Sequence, residues 1–253
     1  MATTSDLAVV ICHGSYHTPA PYMPLVQAQR DRGIEAYCPQ LPTADLTKLN
    51  VGDVAKPDFD QEPPTEGYPQ GDQDAAVILD VVRPLVEHGK RVLMVRPLSR
   101  LPFPSCKQRP KMTKEESSEF SMLAPSSFRS ESQSTVFFQP NDGPPVVPPF
   151  MRFHRHGAAG LAEASKWADT LTASPILTTK LTNNAYASLP CAYLVLEGDL
   201  TLPKQYQDQM AALQGQKTGP FTMYRCQSGH SPHLSWTSGF VDTIQDFVGK
   251  IEV

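Results

Sequence analysis

The feature that most constrains the fold is a short apolar run that ends abruptly at a glycine. Residues 7–11 are LAVVI, and Cys12, His13 and Gly14 follow them. A run of this length and composition predicts a strand that is buried on both faces of a parallel sheet. Ligands in such sheets bind beyond the carboxyl ends of the strands, so His13, Gly14 and Ser15 are candidate site residues. A plain surface turn from strand to helix is the alternative.

Strand and helix patterns alternate along the chain after this first strand. Further strands are predicted at 34–38, 91–95, 191–196 and 221–226, and helices at 24–33, 71–89, 158–171, 179–189, 203–213 and 239–251. Such alternation is typical of a doubly wound, mostly parallel α/β sheet. We therefore predict one α/β domain over residues 1–253.

One segment, residues 96–135, interrupts this pattern. It contains no glycine, ten serines and no sustained period of 2 or 3.6 residues. That composition is typical of disordered chain, and a structureless stretch of this length is unusual inside a compact domain. We predict that segment 96–135 is disordered or aberrant.

Charge and cysteine usage exclude several classes of protein. The net charge of −4 argues against a nucleic-acid partner, and five widely spaced cysteines without a C-x-x-C pair argue against a disulfide framework or a zinc site. No apolar run is long enough for a bilayer, and the first residues do not resemble a signal peptide. We expect a cytoplasmic protein that binds neither membrane nor nucleic acid and uses no cofactor or metal. The oligomeric state is left open.

Two successive predicted strands end in an acid and then in a histidine. The strand CAYLVL continues into Glu197, Gly198 and Asp199, and the strand FTMYRC precedes Gly229 and His230. A carboxylate that fixes the tautomer of a histidine is two-thirds of a nucleophile–base–acid triad. Each residue alone has an ordinary explanation, as a helix-cap aspartate or a surface histidine. Their order along the chain, beside the turn after the first strand, favours the triad.

Three blocks of the chain resemble α/β-hydrolases of the plant methylesterase and hydroxynitrile-lyase type, and more closely the related fungal α/β-hydrolases. These blocks are VVICHGSYHTPAPYMPLVQAQRDRGIEAYCPQLPTADL, EGDLTLPKQYQDQM and CQSGHSPHLSW. The resemblance covers residues 1–95 and 136–253. It implies the α/β-hydrolase fold, with a short helical cap region at 136–190.

The resemblance also implies roles for individual residues. Asp199 is the triad acid, His230 is the general base, and Ser15 supplies a backbone N–H to the oxyanion hole. His17 matches a histidine on the pocket side of the first loop, whereas His233 is a neighbour of the base. The implied reaction is hydrolysis of a small carboxylic ester. A hydroxynitrile lyase would need further polar groups that the sequence does not identify.

The serine nucleophile of the family is missing from its expected place. The family carries G-x-S-x-G or A-H-S-x-G directly after the third strand, because the strained serine turn needs glycine neighbours. Here RVLMV is followed by RPLSR, so Leu98 occupies the nucleophile position and Ser99 is the nearest serine. No G-x-S-x-G occurs in the chain.

Two explanations of this loss lead to different predictions. Codons for Arg-Pro-Leu-Ser-Arg can encode Ala-His-Ser in the neighbouring frame, and family-like sequence resumes near Val136, so the segment could be a faulty gene product translated out of frame. A genuinely diverged insertion would instead make the chain a catalytically dead pseudoenzyme or a binding module. In both cases we predict that the triad chemistry of this chain is impaired.

Overall fold

The computed structural model describes residues 6–14, 17–96, 119–122, 185–199 and 202–251, with 119–122 described by their backbone. The strands in these ranges are β1 (Leu7–Ile11), β2 (Glu35–Tyr37), β3 (Arg91–Val95), β4 (Glu119–Met122), β5 (Cys191–Leu196) and β6 (Thr222–Cys226). The α-helices are α1 (Met23–Arg30), α2 (Gly71–Glu87), α3 (Lys204–Thr218), the single turn α4 (Pro232–Ser235) and α5 (Thr237–Ile251). Short 3-10 helices form at Ala20–Tyr22, Pro42–Ala44, Leu46–Lys48 and Ala185–Ala187.

The strands form one parallel sheet in the order β2-β1-β3-β4-β5-β6. Because all five strand pairings are parallel, the carboxyl ends of the strands lie along the same edge of the sheet. The predicted doubly wound α/β sheet is confirmed.

Helices cover both faces of this sheet. Alternate residues of β1 point to opposite faces: Leu7, Val9 and Ile11 pack with residues of α1 and α5, whereas Ala8 and Val10 pack with residues of α2. Helix α3 contributes Ala211 to the face that α2 covers, next to the β5 residues Tyr193 and Val195. This double burial is the physical reason that β1 is apolar at every position rather than at alternate ones.

The strand β4 lies inside the segment 96–135, where the sequence pattern did not predict a strand. It pairs with β3 on one side and with β5 on the other. Backbone hydrogen bonds to both neighbours therefore stabilise a strand whose own residues show little strand pattern. The remainder of that segment beyond Arg96, the predicted helix 158–171 and most of the cap region 136–190 lie outside the described residues.

Two further properties follow from the described ranges. None of their helices is long and apolar enough to cross a membrane. They also contain no group of three or more histidine, cysteine, aspartate or glutamate side chains that could hold a metal ion.

Candidate active site

The turn that follows β5 lies directly against the end of β6. The backbone N–H of Glu197 donates to the carbonyl of Cys226 at 2.8 Å, and that of Gly198 donates to the carbonyl of Ser228 at 3.1 Å. A Cβ atom on Gly198 would lie 2.5 Å from the backbone oxygen of Gln227, closer than real Cβ atoms come to such atoms. Glycine is required here because the two backbones approach too closely for any side chain.

This close approach brings the acid and the histidine together. His230 Nδ1 lies 2.8 Å from Asp199 Oδ2, and a carboxylate can only accept, so the imidazole donates its Nδ1–H. The Asp199 side chain is fully buried, whereas that of His230 is 30% exposed. The second carboxylate oxygen accepts the backbone N–H of Leu202 at 3.0 Å. In the neutral ring this arrangement leaves the lone pair on Nε2, where a general base needs it.

The loop after β1 holds a histidine of a different kind. His13 is 1% exposed, and its Nε2 accepts the backbone N–H of Leu41 at 3.0 Å. The ring proton is therefore on Nδ1, which donates to the carbonyl of Gly14 at 3.2 Å. Burial lowers the pKa of His13 to about 4, so the ring is neutral at pH 7. His13 thus fixes the course of the loop through two backbone contacts.

A tyrosine that the sequence reasoning assigned no role connects this loop to the region after His230. The Tyr22 hydroxyl accepts the backbone N–H of Gly14 at 3.0 Å and lies 2.9 Å from His17 Nδ1, to which it can donate its own proton. The Tyr22 ring stacks on His233 with a centroid separation of 4.0 Å and an interplanar angle of 10°. Burial raises the pKa of Tyr22, so the hydroxyl stays protonated. The sequence pattern gives no signal for this role, because the contacts of Tyr22 join the loop residues Gly14 and His17 to His233 in a distant part of the chain.

The candidate residues from the sequence therefore fall into three groups. Asp199 and His230 are in contact, and His17 and His233 both lie beside Tyr22, with 6.2 Å between the two imidazole centroids. Ser15 and the nucleophile position with its neighbour Ser99 lie outside the described residues.

Comparisons with known proteins bear on the fold and on the relationship. No family model matches the chain. Over 91 residues the chain is 35% identical to an α/β-hydrolase, nvfD, from Aspergillus novofumigatus, and this match spans 35% of each of the two proteins.

Solved structures match over nearly the whole length. Methylesterase MES16 from Arabidopsis has a TM-score of 0.62 at 17% identity, with 96% of this chain and 99% of that chain covered. An extracellular α/β-hydrolase from a Paenibacillus species has a TM-score of 0.62 at 18% identity, with 95% of this chain and 98% of that chain covered. Polyneuridine aldehyde esterase has a TM-score of 0.53 at 14% identity, covering 96% and 99%. The chain therefore has the α/β-hydrolase fold, and over 91 residues its sequence is similar to that of a fungal α/β-hydrolase.

Proposed function

We propose that Asp199 and His230 are the acid and the general base of a serine esterase that acts on small carboxylic esters. The observation that carries the proposal is the 2.8 Å contact between His230 Nδ1 and the buried Asp199 carboxylate. It lies beyond the carboxyl ends of two adjacent parallel strands, where ligands bind in open α/β sheets.

The proposed chemistry is acyl transfer. A serine hydroxyl attacks the ester carbonyl while His230 Nε2 takes the hydroxyl proton and then returns it to the departing alcohol. Water repeats the sequence and releases the carboxylic acid. The Asp199 carboxylate holds the ring in its Nδ1–H tautomer and stabilises the imidazolium that forms in each half of the reaction. The backbone N–H of Ser15 is proposed as one donor to the oxyanion.

The nucleophile half of the site is proposed to be impaired in this chain. The sequence after β3 has Leu98 at the nucleophile position and Ser99 between Leu98 and Arg100, without the glycines that a strained serine turn needs. The second oxyanion donor, ordinarily the N–H after the nucleophile, is affected at the same place. The chain would then keep the acid–base pair of an esterase with little or no esterase activity.

Labelling with a fluorophosphonate probe tests the impairment directly. We expect at most trace labelling of this chain at pH 7–8. Robust labelling of Ser99 that is abolished by His230→Gln would overturn the proposed impairment. The control is His88→Gln, which changes an exposed histidine at the end of α2 and should retain the labelling.

Reading the transcript across codons 90–137 tests the esterase assignment. An A-H-S-x-G run in frame would identify segment 96–135 as a faulty translation. The protein from that transcript should then hydrolyse p-nitrophenyl acetate, and the hydrolysis should depend on Asp199 and His230. A folded protein with this motif and no hydrolysis would contradict the esterase proposal.

A pseudoenzyme or binding module is the second candidate, and the RPLSR sequence after β3 favours it. A transcript that confirms the printed residues, together with no labelling, would support this candidate.

A further inference from the structure

A glutamine on α3 makes an unusual set of contacts beneath the turn that carries Asp199. Gln207 is completely buried, and its neighbours on the same helix face are the buried residues Met210 and Ala211. A fully buried carboxamide on an otherwise apolar face is costly unless every polar atom finds a partner.

All polar atoms of this carboxamide are satisfied by backbone groups around Asp199. Its Oε1 accepts the N–H of Leu196 at 2.9 Å, and its Nε2 donates to the carbonyl of Leu196 at 2.9 Å and to that of Leu202 at 2.8 Å. Leu196 is the last residue of β5 and precedes Asp199 by three positions, and Leu202 follows Asp199 by three. A single side chain thus fixes both ends of the short segment that presents the acid.

The same two residues, Leu196 and Leu202, also contact Asp199 itself through their backbones. The N–H of Leu202 donates to Asp199 Oδ1 at 3.0 Å, and the N–H of Asp199 donates to the carbonyl of Leu196 at 3.2 Å. A displacement of Leu196 or Leu202 would therefore disturb the position of the carboxylate whose second oxygen contacts His230. Gln207 is the side chain that holds both of them.

We infer that Gln207 is a positioning residue, which holds the Asp199 carboxylate in its contact with His230. Only a carboxamide supplies two N–H donors and one acceptor from one planar group. Glutamate at this position could accept the Leu196 N–H, but its second oxygen would face two carbonyl oxygens. The inference concerns the hydrogen bond between His230 and Asp199, which forms without a nucleophile. A role of Gln207 in catalysis rests on the proposed function.

The test measures the hydrogen bond between His230 and Asp199 by proton NMR. The Nδ1–H of a histidine bonded to a carboxylate gives a resonance far downfield, which Asp199→Asn identifies by removing it. We expect Gln207→Glu to abolish this resonance or to raise the solvent exchange rate of the proton by about tenfold, as loss of roughly one net hydrogen bond would. The matched control Gln209→Glu changes the same charge at an exposed position of the same helix and should leave the resonance unchanged.

The result that overturns the inference is a folded Gln207→Glu protein with the wild-type resonance and exchange rate. Should that variant fail to fold, Gln207→Asn, which keeps the carboxamide but shortens its reach, is read in the same way.

A measurement on the unaltered protein provides an independent test. Both Nε2 protons of Gln207 should exchange with solvent at least about tenfold more slowly than those of the exposed Gln209, because the Gln207 side chain is buried and each proton is donated to a backbone carbonyl. Equal rates would contradict the inference. These measurements involve no ester, so a failed esterase assay would leave their outcome unaffected.

Discussion

His13 and His230 each follow the carboxyl end of a parallel strand, yet the protein holds their rings in opposite environments. His13 is 1% exposed and bonded to backbone atoms of Leu41 and Gly14, whereas the His230 side chain is 30% exposed and bonded to the Asp199 carboxylate. Burial without a charged partner keeps the first ring neutral, so it serves as a structural connector. The second ring has a carboxylate partner and is partly exposed, as the proposed general base requires.

A position after a strand end makes a histidine a candidate site residue, but its hydrogen-bond partners decide which role the ring can have. The partner of each ring lies far away in sequence: Leu41 is 28 residues from His13, and Asp199 is 31 residues from His230. Substitutions of the two histidines and of residues in the turns beside them test the contrast, beginning with the largest expected effect.

Replacing His13 by leucine should cost about 4 kcal/mol of unfolding free energy, because the buried N–H of Leu41 and the carbonyl of Gly14 both lose their partners. Replacing His230 by glutamine should cost at most about 1 kcal/mol, since the position is partly exposed and the amide retains a donor for Asp199. Denaturant unfolding at pH 7 measures both values. Equal costs for the two substitutions would remove the contrast.

Burial of the His13 ring should also make the free energy of unfolding fall in acid. The pKa of His13 in the folded protein is about 4, below the ordinary value of 6.5. The contribution of neutral His13 to the free energy of unfolding is therefore complete above pH 6.5 and is lost as the pH falls toward 4. In that range the histidine of the unfolded chain takes up a proton, whereas His13 of the folded protein does not. The expected loss over this window is about 3 kcal/mol. The dependence of unfolding free energy on pH should be flatter in His13→Leu, and an unchanged slope would contradict this assignment.

The turn beside His230 is expected to tolerate no side chain at Gly198. Gly198→Ala places a Cβ atom 2.5 Å from the backbone oxygen of Gln227, and the backbone shift that relieves this clash should cost about 2 kcal/mol. The downfield resonance of the His230 Nδ1–H should weaken in the same variant. Gly249→Ala is the control, because its Cβ would meet no atom within 4 Å. It should leave both unfolding and the resonance unchanged, apart from a small gain in helix stability.

The smallest effect concerns the hydroxyl that connects the first loop to the histidine region. Tyr22→Phe removes the acceptor of the Gly14 N–H and the contact to His17, which should cost about 1 kcal/mol. Tyr193→Phe is the matched control. Among the residues that the structure describes, the buried Tyr193 hydroxyl has no hydrogen-bond partner, so its removal should be neutral or stabilising. Thermal or denaturant unfolding of the two variants distinguishes them. A larger loss for Tyr193→Phe would contradict the assigned role of Tyr22.

Local pattern was sufficient for much of the fold. The strands β3 and β5 have the predicted bounds, and α2 begins at the predicted Gly71. Gly33 and Gly89, predicted to end the first two helices, both have positive φ angles, 75° in each case. These features depend on apolar periodicity and on the backbone freedom of glycine. Both can be recognised from residues that are close together in the sequence. The strand β4 depends instead on its pairing with β3 and β5, so its own residues did not indicate it.

The sequence by itself determined the class of sheet, the positions of its apolar strands along the chain and the presence of an acid and a histidine after two successive strands. Tertiary structure alone decided that Asp199 meets His230, that His13 is neutral and buried, and that Gln207 supports the acid from a neighbouring helix. The physical reason is range. Periodicity and turn chemistry act between residues a few positions apart, whereas hydrogen-bond partners and burial are set by segments that the sheet brings together from distant parts of the chain.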